Sequence, residues 1–271
     1  MFRTHVHRRS VHDEDRHLAF EDGDGCLVVC AIDGHGGAAA ADLCAARGAE
    51  VYRAAKRECA DDVHACLRST FARLHGLCTQ LRCQSGCALT MVRLHRETGR
   101  VTCANVGDAT ALVISSTSHR HLSVSHRLQD NAFERTRLGS HIGFVNGQGP
   151  PRLFPGGLAC SRSIGDADCP HVSAEPHLCD DRLRAHEDLV ICTDGITDCT
   201  SAKRMVALFE YHNPQYLHST RCLDDATAIV VSRSSRATTS PMLSRMLFRR
   251  ASHSSGGSSS DEDATIVPVV L

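Results

Sequence analysis

The run Val28-Val29-Cys30-Ala31-Ile32 ends abruptly at Asp33-Gly34-His35-Gly36-Gly37. An apolar run of this length asks for burial as a strand, and the pentad then sets a carboxylate, an imidazole and three permissive backbone positions at its end. A phosphate or a metal ion can be met there at close range. The junction has echoes. Asn105-Val106-Gly107-Asp108, Ile191-Cys192-Thr193-Asp194-Gly195 and Leu223-Asp224-Asp225 each place an Asp beside an apolar, strand-like run. Strand-end carboxylates repeated in this way point to convergence on cations.

The rest of the pattern supplies helices to cover those strands. Cys26 to Ile32 reads as a strand, and Ala38 to Cys59 as an Ala-rich helix starting just after the glycines. A second helix spans Asp61 to Arg82, where Val63, Cys66, Leu67, Thr70, Phe71 and Leu74 recur at helical spacing. Ala88 to Leu94 and Val101 to Val106 flank the turn Arg96-Glu97-Thr98-Gly99 as a hairpin, and Ala109 to Ser115 is expected to continue that meander. Asp188 to Thr193 and Ala226 to Ser232 are further strand-length runs. Helices with many short strands imply a layered α+β domain. It is placed at residues 1–233. Residues 234–271, rich in Ser and Arg, have too little apolar material to fold alone and are expected to be a disordered tail. Within the tail, Arg249-Arg250-Ala251-Ser252 and the Ser-Ser-Ser-Asp-Glu-Asp run have the form of kinase sites.

Charge and cysteine content exclude several classes. Thirty Lys and Arg against 31 Asp and Glu leave no field to recruit nucleic acid or a membrane surface. No apolar stretch approaches the ~18 residues that span a bilayer, and the first residues lack the apolar segment of a secretory signal. A cytoplasmic or nuclear location and a monomer are therefore expected. Fifteen cysteines occur without any C-x-x-C pair, which argues against a zinc module. Many lie inside apolar runs, where a reduced thiol packs as a small hydrophobe.

Hard cations such as Mg²⁺ and Mn²⁺ prefer carboxylate, carbonyl and water oxygens. Two of them about 4 Å apart acidify a shared water for in-line attack on phosphorus. His35, two residues beyond Asp33, is placed to protonate a leaving oxygen.

These residues carry a resemblance. Glu14-Asp15-Arg16, Asp33-Gly34-His35-Gly36-Gly37, Ser85-Gly86-Cys87-Ala88 and Asn105-Val106-Gly107-Asp108-Ala109-Thr110-Ala111 occur in order. Leu122-Ser123-Val124-Ser125-His126-Arg127 and Glu134-Arg135-Thr136-Arg137-Leu138 follow. The series closes with Gly156 to Asp166, Thr193-Asp194-Gly195-Ile196-Thr197-Asp198 and Asp224-Asp225-Ala226-Thr227. The chain resembles the metal-dependent serine/threonine protein phosphatases of type 2C across roughly residues 9–232.

The resemblance implies an α+β fold, a four-layer αββα sandwich of two antiparallel sheets flanked by helices. It implies Mg²⁺- or Mn²⁺-dependent hydrolysis of phosphoserine and phosphothreonine in protein substrates, at two ions with a third, weaker site. Asp33 would bridge the two ions, with the Gly34 carbonyl and Asp194 each completing one of them and Asp224 beside Asp194. Asp15 would hold outer waters, with Glu14 nearby, and Asp108 with Asp194 would hold the third ion. His35 would be the general acid, and Arg9 would grip the substrate phosphate.

Departures accompany the match. Arg9 stands five residues before Glu14, one more than the family spacing, and Ser125 replaces an Asp. Asp225 stands where the family has Asn and would compete with Asp224 for the ion. The stretch between Asp194 and Asp224 is short, so a helix that packs there is expected to be reduced. A catalytically impaired pseudophosphatase, kept as a binding or regulatory module, is the alternative. His126 is read as a packed, hydrogen-bonded residue, and Arg162 with Asp166 as a structural ion pair. Gly34-His35-Gly36-Gly37-Ala38-Ala39 also fits a dinucleotide fingerprint, but Asp33 would repel a pyrophosphate and no βαβ units follow. Cys87-x5-Arg93 fails as a cysteine-phosphatase loop because its intervening residues are apolar.

Overall fold

Alternation along β3 (Cys26–His35) sets the architecture, because its two faces are both buried but against different layers. Val28, Cys30 and Ile32 face two helices, while Leu27, Val29 and Ala31 face a second sheet. The structure is a computed structural model and describes residues 2–205 and 224–233. Expectations for residues 206–223 and 234–271, including the shortened helix and the tail's kinase sites, lie outside the described residues.

The sheet containing β3 runs β11 (His177–Arg182), β5 (Arg100–Val106), β4 (Gly86–His95), β3, β2 (Arg16–Glu21), with the short β10 (Ile164–Gly165) pairing β4. The facing sheet runs β1 (Phe2–Arg9), β13 (Ala226–Arg233), β12 (Asp188–Cys192), β6 (Thr110–Ile114), β7 (His119–His121). All pairings within these two sheets are antiparallel. Their apposed faces form one core, with Val29, Val92, Cys103, Val113, Ile191 and Ile229 inside it.

Helices α1 (Ala39–Cys59) and α2 (Val63–Gln80) cover the outer face of the β3 sheet. The buried alanines Ala40, Ala41 and Ala55 face α1 toward the core, and Asp62 caps α2 by accepting the Ala65 N–H at 2.9 Å. On the opposite outer face, Leu112, Val190, Cys192 and Ala228 pack with Ile196 of α4 (Asp194–Thr197) and with Met205. The expected α+β sandwich of two antiparallel sheets flanked by helices is the observed fold. The buried cysteines Cys30, Cys44, Cys87, Cys103 and Cys192 are free thiols in these cores. Among the described residues, no helix is long and apolar enough to cross a membrane.

One local expectation is corrected. Thr110–Ile114 does not continue the β4–β5 meander. At Gly107 the chain crosses to the other sheet, where β6 pairs β12. Further along, α3 (Ala132–Leu138) and a single 3₁₀ turn (Gly139–His141) lead into a separate hairpin of β8 (Ile142–Val145) and β9 (Gln148–Leu153).

Phe71 is fully buried between α2 and its neighbours, whereas Phe133 on α3 is 72% exposed. Phe71→Ala should cost about 3–5 kcal/mol in urea unfolding, through lost burial and a residual cavity. Phe133→Ala should stay within about 0.5 kcal/mol of the parent.

Candidate metal centre

The inter-sheet core is apolar along its length and turns polar at one end. On β3 the inward series Val29, Ala31 continues to Asp33. On β12, Leu189 and Ile191 lead to Thr193, and on β13, Val231 and Ile229 lead back to Thr227. Antiparallel pairing brings these ends together, with the Thr193 hydroxyl accepting the Thr227 N–H at 2.9 Å. The same hydroxyl donates to the carboxylate of Asp15, which is buried, at 2.8 Å. Asp108 arrives on the crossover from β5 to β6.

One carboxylate oxygen each from Asp33, Asp108 and Asp194 lies within 4.8 Å of the others. The Asp194 N–H donates to Asp33 Oδ2 at 3.1 Å. Asp15 sits behind this group on Thr193. Asp224 lies outside that group, exposed at the bend before β13, where its Oδ1 accepts the Asp225 N–H at 2.8 Å, but near enough for its charge to push Asp194 up.

The loop carrying Glu14 and Asp15 lies across Asp33-Gly34. Any Cβ on Gly34 would come 2.5 Å from the Glu14 carbonyl oxygen, so only glycine permits the crossing. Glu14 Oε1 accepts the Gly37 N–H at 2.6 Å, tying the loop to the pentad. Asp225 holds the loop from the other side. Its carboxylate accepts the N–H groups of Val11, His12 (2.8 Å), Asp13 (3.3 Å), Glu14 (2.6 Å) and Asp15 (3.1 Å). Burial pushes this carboxyl up, but the amides overcome it and hold it at about 2. Asp225 is therefore a fastener for the loop and does not compete with Asp224 for an ion.

The electrostatics of the cluster fit a cation. Burial, with the charges of Asp225 and Asp194 added, pushes Asp15 up to about 7 against the hydrogen bond from Thr193. Burial and then the charge of Asp108 push Asp194 up to about 6, even with Arg127 opposing. Asp33 is raised well above the usual carboxylate range by burial and by Asp194, Asp15 and Asp108. Crowded, buried carboxylates of one sign make a hard-oxygen donor set suited to Mg²⁺ or Mn²⁺, whose charge relieves the repulsion.

His35 and Asp166 form a second unit. His35 Nε2 lies 3.0 Å from both Asp166 oxygens, and Ser163 Oγ donates to Oδ2 of the same carboxylate. A side chain on Gly86 would overlap that carboxylate. Burial lowers the His35 pKa, but the hydrogen bond and charge of Asp166 more than reverse this, so the net shift is upward. The expected Arg162–Asp166 ion pair is not formed. Arg162 instead donates to buried Glu134 at 2.6 Å and to the Glu175 carbonyl at 2.8 Å.

His126 is a packed residue, as expected. Its ring Nδ1 lies 2.9 Å from the Gly107 carbonyl, and burial with the nearby Arg162 charge lowers its pKa to about 4. Arg9 ends β1 opposite Ala226. Phe2, Thr4 and Val6 mark the buried face of that strand, so Arg8 shares their face, where it donates to Asp13, and Arg9 takes the other.

Residues not singled out from sequence also belong here. Arg127 donates to Asp108, to Asp194 and, through two nitrogens at 2.8 and 3.0 Å, to Asp198. Glu134 joins Arg162, Arg137 (2.7 Å) and the Ser161 hydroxyl (2.6 Å). Both stood inside the matched blocks, but only their partners, distant in sequence, give them a role.

Comparison with known proteins follows the same lines. The family model described as Protein phosphatase 2C matches residues 4–234. A probable protein phosphatase 2C of Oryza sativa is 32% identical over 212 residues, covering 67% of this chain and 49% of that protein. Protein phosphatase 2C homolog 2 of Saccharomyces cerevisiae is 26% identical over 207 residues, 70% of this chain and 44% of that protein. The chain thus spans about half the length of these curated relatives. Among solved structures, a serine-threonine phosphatase 2C of Toxoplasma gondii superposes with a TM-score of 0.66 at 18% identity, over 85% of this chain and 94% of that one. A C. elegans sex-determining protein gives 0.72 at 20%, over 85% and 64%.

Glu134 supplies a test of the wall opposite the cluster. Burial raises its carboxyl, but Arg162, Arg137 and Ser161 hold it down to about 2. A depressed folded-state pKa adds stability that is complete above the unfolded value near 4.5 and lost as the pH falls from there toward 2. Glu134→Gln should cost about 3 kcal/mol at pH 7, the range for removing one partner of a buried ion pair. The difference from the parent should shrink below pH 4.5 when denaturant unfolding is followed against pH.

Proposed function

The chain belongs to the protein phosphatase 2C family, and we propose that it hydrolyses phosphoserine and phosphothreonine in proteins at a centre of two Mg²⁺ or Mn²⁺ ions. One observation carries this reading: Asp33, Asp108 and Asp194, from three separate segments of two sheets, bring their oxygens within 4.8 Å at the end of an apolar core. A fold bears that much like charge in one buried place when a cation is to be held there.

In this reading Asp33 would be shared by both ions, the Gly34 carbonyl and Asp194 would each serve one of them, Asp224 would assist Asp194, and Asp15 would hold water behind them. Bound there, such a pair would supply Lewis acidity, neutralising phosphate charge and lowering the pKa of water. The protein's own residues do the rest. Thr193 and the Asp194 N–H orient Asp15 and Asp33. A carboxylate only accepts, so Asp166 fixes the proton on His35 Nε2 and leaves Nδ1 to pass one to the departing serine or threonine oxygen. Asp166 is a positioning residue. Arg9 is the proposed grip on substrate phosphate on the strength of the resemblance alone, because alternation along β1 puts Arg8, not Arg9, on the face shared with the inter-sheet core. The alternative, a binding module of this fold without turnover, draws on Ser125 standing in place of an Asp.

Purified protein should release phosphate from a phosphothreonine peptide only with Mn²⁺ or Mg²⁺, and Asp194→Ala should reduce release to background. Equal, background release from both, with Mn²⁺ still raising Tm, would select the binding module. Saturating Mn²⁺ should add about 2.7 kcal/mol of stability at 100 times its Kd. Asp33→Asn should lose that shift and, in EDTA, melt above the parent because one repelling charge is gone.

His35→Gln should lower kcat on the phosphopeptide by about 10²–10⁴. The loss should be much smaller on an aryl phosphate, whose leaving oxygen needs little help from an acid. Equal losses on both substrates would remove His35 from the proton-donating role.

A further inference from the structure

Helix α2 ends in a turn that brings two cysteines together. The Leu81 N–H donates to the Leu77 carbonyl at 3.0 Å, Arg82 to Thr79 at 3.0 Å and Cys83 to Cys78 at 2.9 Å, while Arg82 takes a left-handed φ of 53°. In a helix end of this kind the chain doubles back, and the side chains three places before and two places after the capping residue meet across it. With Leu81 as the cap, those places are Cys78 and Cys83. The two thiols are near enough to shift each other's pKa.

The pair differs in access. Cys78 is fully buried whereas Cys83 is partly exposed, so a reagent in solvent meets Cys83 first, with Cys78 behind it. Cys44 and Cys87 also touch, Sγ to Sγ at 3.7 Å, but both are sealed in the core between α1 and β4. Beyond the cap, the chain is tied to the segment that carries Asp166. The Ala167 N–H donates to the Cys83 carbonyl at 3.4 Å, and the Asp166 N–H donates to the Ser85 carbonyl at 3.1 Å.

We propose that Cys78 and Cys83 form a thiol modification site, which closes on exchange with a small disulfide into a reversible bridge across the end of α2. The Cys83 thiolate attacks one sulfur of a disulfide such as oxidised glutathione and expels one glutathione thiolate. Cys78, giving up its proton, then attacks the Cys83 sulfur and expels the second. Two protein thiols are oxidised, one small disulfide is reduced to two thiols, and the two protons pass to those thiols. Burial and Cys78 push the Cys83 thiol up, while Cys44 and burial push Cys78 up, so both stay protonated at neutral pH and exchange quickens as the pH rises. The bridge joins residues that the backbone already holds together, so α2 need not unwind to form it.

Peptide mapping of the folded full chain tests this, after incubation with excess oxidised glutathione at about pH 8.5, the ordinary thiol pKa. Remaining thiols are blocked with N-ethylmaleimide before digestion. Trypsin cuts between the two cysteines at Arg82, so the bridge should appear as residues 74–82 linked to residues 83–93, with fragmentation placing it on Cys83 and not on Cys87. Excess reduced glutathione should remove the link, and Cys83→Ser should abolish it. In hydrogen exchange, the amides of Cys83, Asp166 and Ala167 should exchange more slowly once the bridge has formed. Glutathione retained on Cys83 beside a reduced Cys78, an unmodified Cys83, or Cys78 bridged to Cys44 would overturn the proposal. Faster exchange at those three amides would overturn it too, because the bridge would then need the helix end to unravel.

Discussion

Mutual repulsion among Asp15, Asp33, Asp108 and Asp194 is the constraint around which the working end is built. Carboxylates this close oppose folding, as the raised pKa values of Asp15, Asp33 and Asp194 record. What holds them together is the apolar layer behind them. Val29 and Ala31 on β3, Ile191 on β12 and Ile229 on β13 lock the two sheets face to face. A slip of one residue in β3 would swap the residues packed against the helices for those packed against the second sheet and turn Asp33 away from the cluster, so Asp33 is held in place by its neighbours' fit to both layers. Burial of hydrocarbon thus drives a charge arrangement that charge alone would reject.

The cluster is steadied by groups that satisfy it without neutralising it. Amides from Val11 to Asp15 converge on Asp225, Thr193 links Asp15 to β13, and Glu14 clasps the glycine loop. Each of these joins segments remote in sequence, so the centre closes only when both sheets are complete. The His35–Asp166 pair depends on a separate close packing over Gly86, and Glu134 ties Arg162 into the wall beyond it. His35, the carboxylate cluster and the guanidinium are held by different fasteners, which suits a site that positions rather than moves.

Much of this was legible from residues alone where a segment carried its own periodicity. α1, α2, β3, β4, β5, β12 and β13 all lie where helical spacing or apolar runs place them. β1 and β2 escaped because His, Arg and Glu fill their exposed positions and break up the apolar signal. The crossing of β6 to the other sheet escaped because hairpin and crossover share the same apolar run. At the crossing Gly107 lies against Ala88, where any side chain on it would overlap Ala88. The roles of Asp225 and Arg162 were misjudged by sequence proximity, since Asp224 is one residue from Asp225 and Asp166 four from Arg162. Their partners in space, the Glu14 loop and Glu134, lie far away along the chain.

By itself the sequence determined the layers, the residues facing the core and the aspartates that end its strands. Those properties are local, set by the period-two and helical alternation of hydrocarbon and by glycine where a turn needs it. Tertiary structure alone decided which carboxylates meet, which one serves as a loop fastener, and that a guanidinium sits among them. Such matters depend on distances of a few ångströms between chain segments from about 20 to more than 200 residues apart, and no local pattern encodes them.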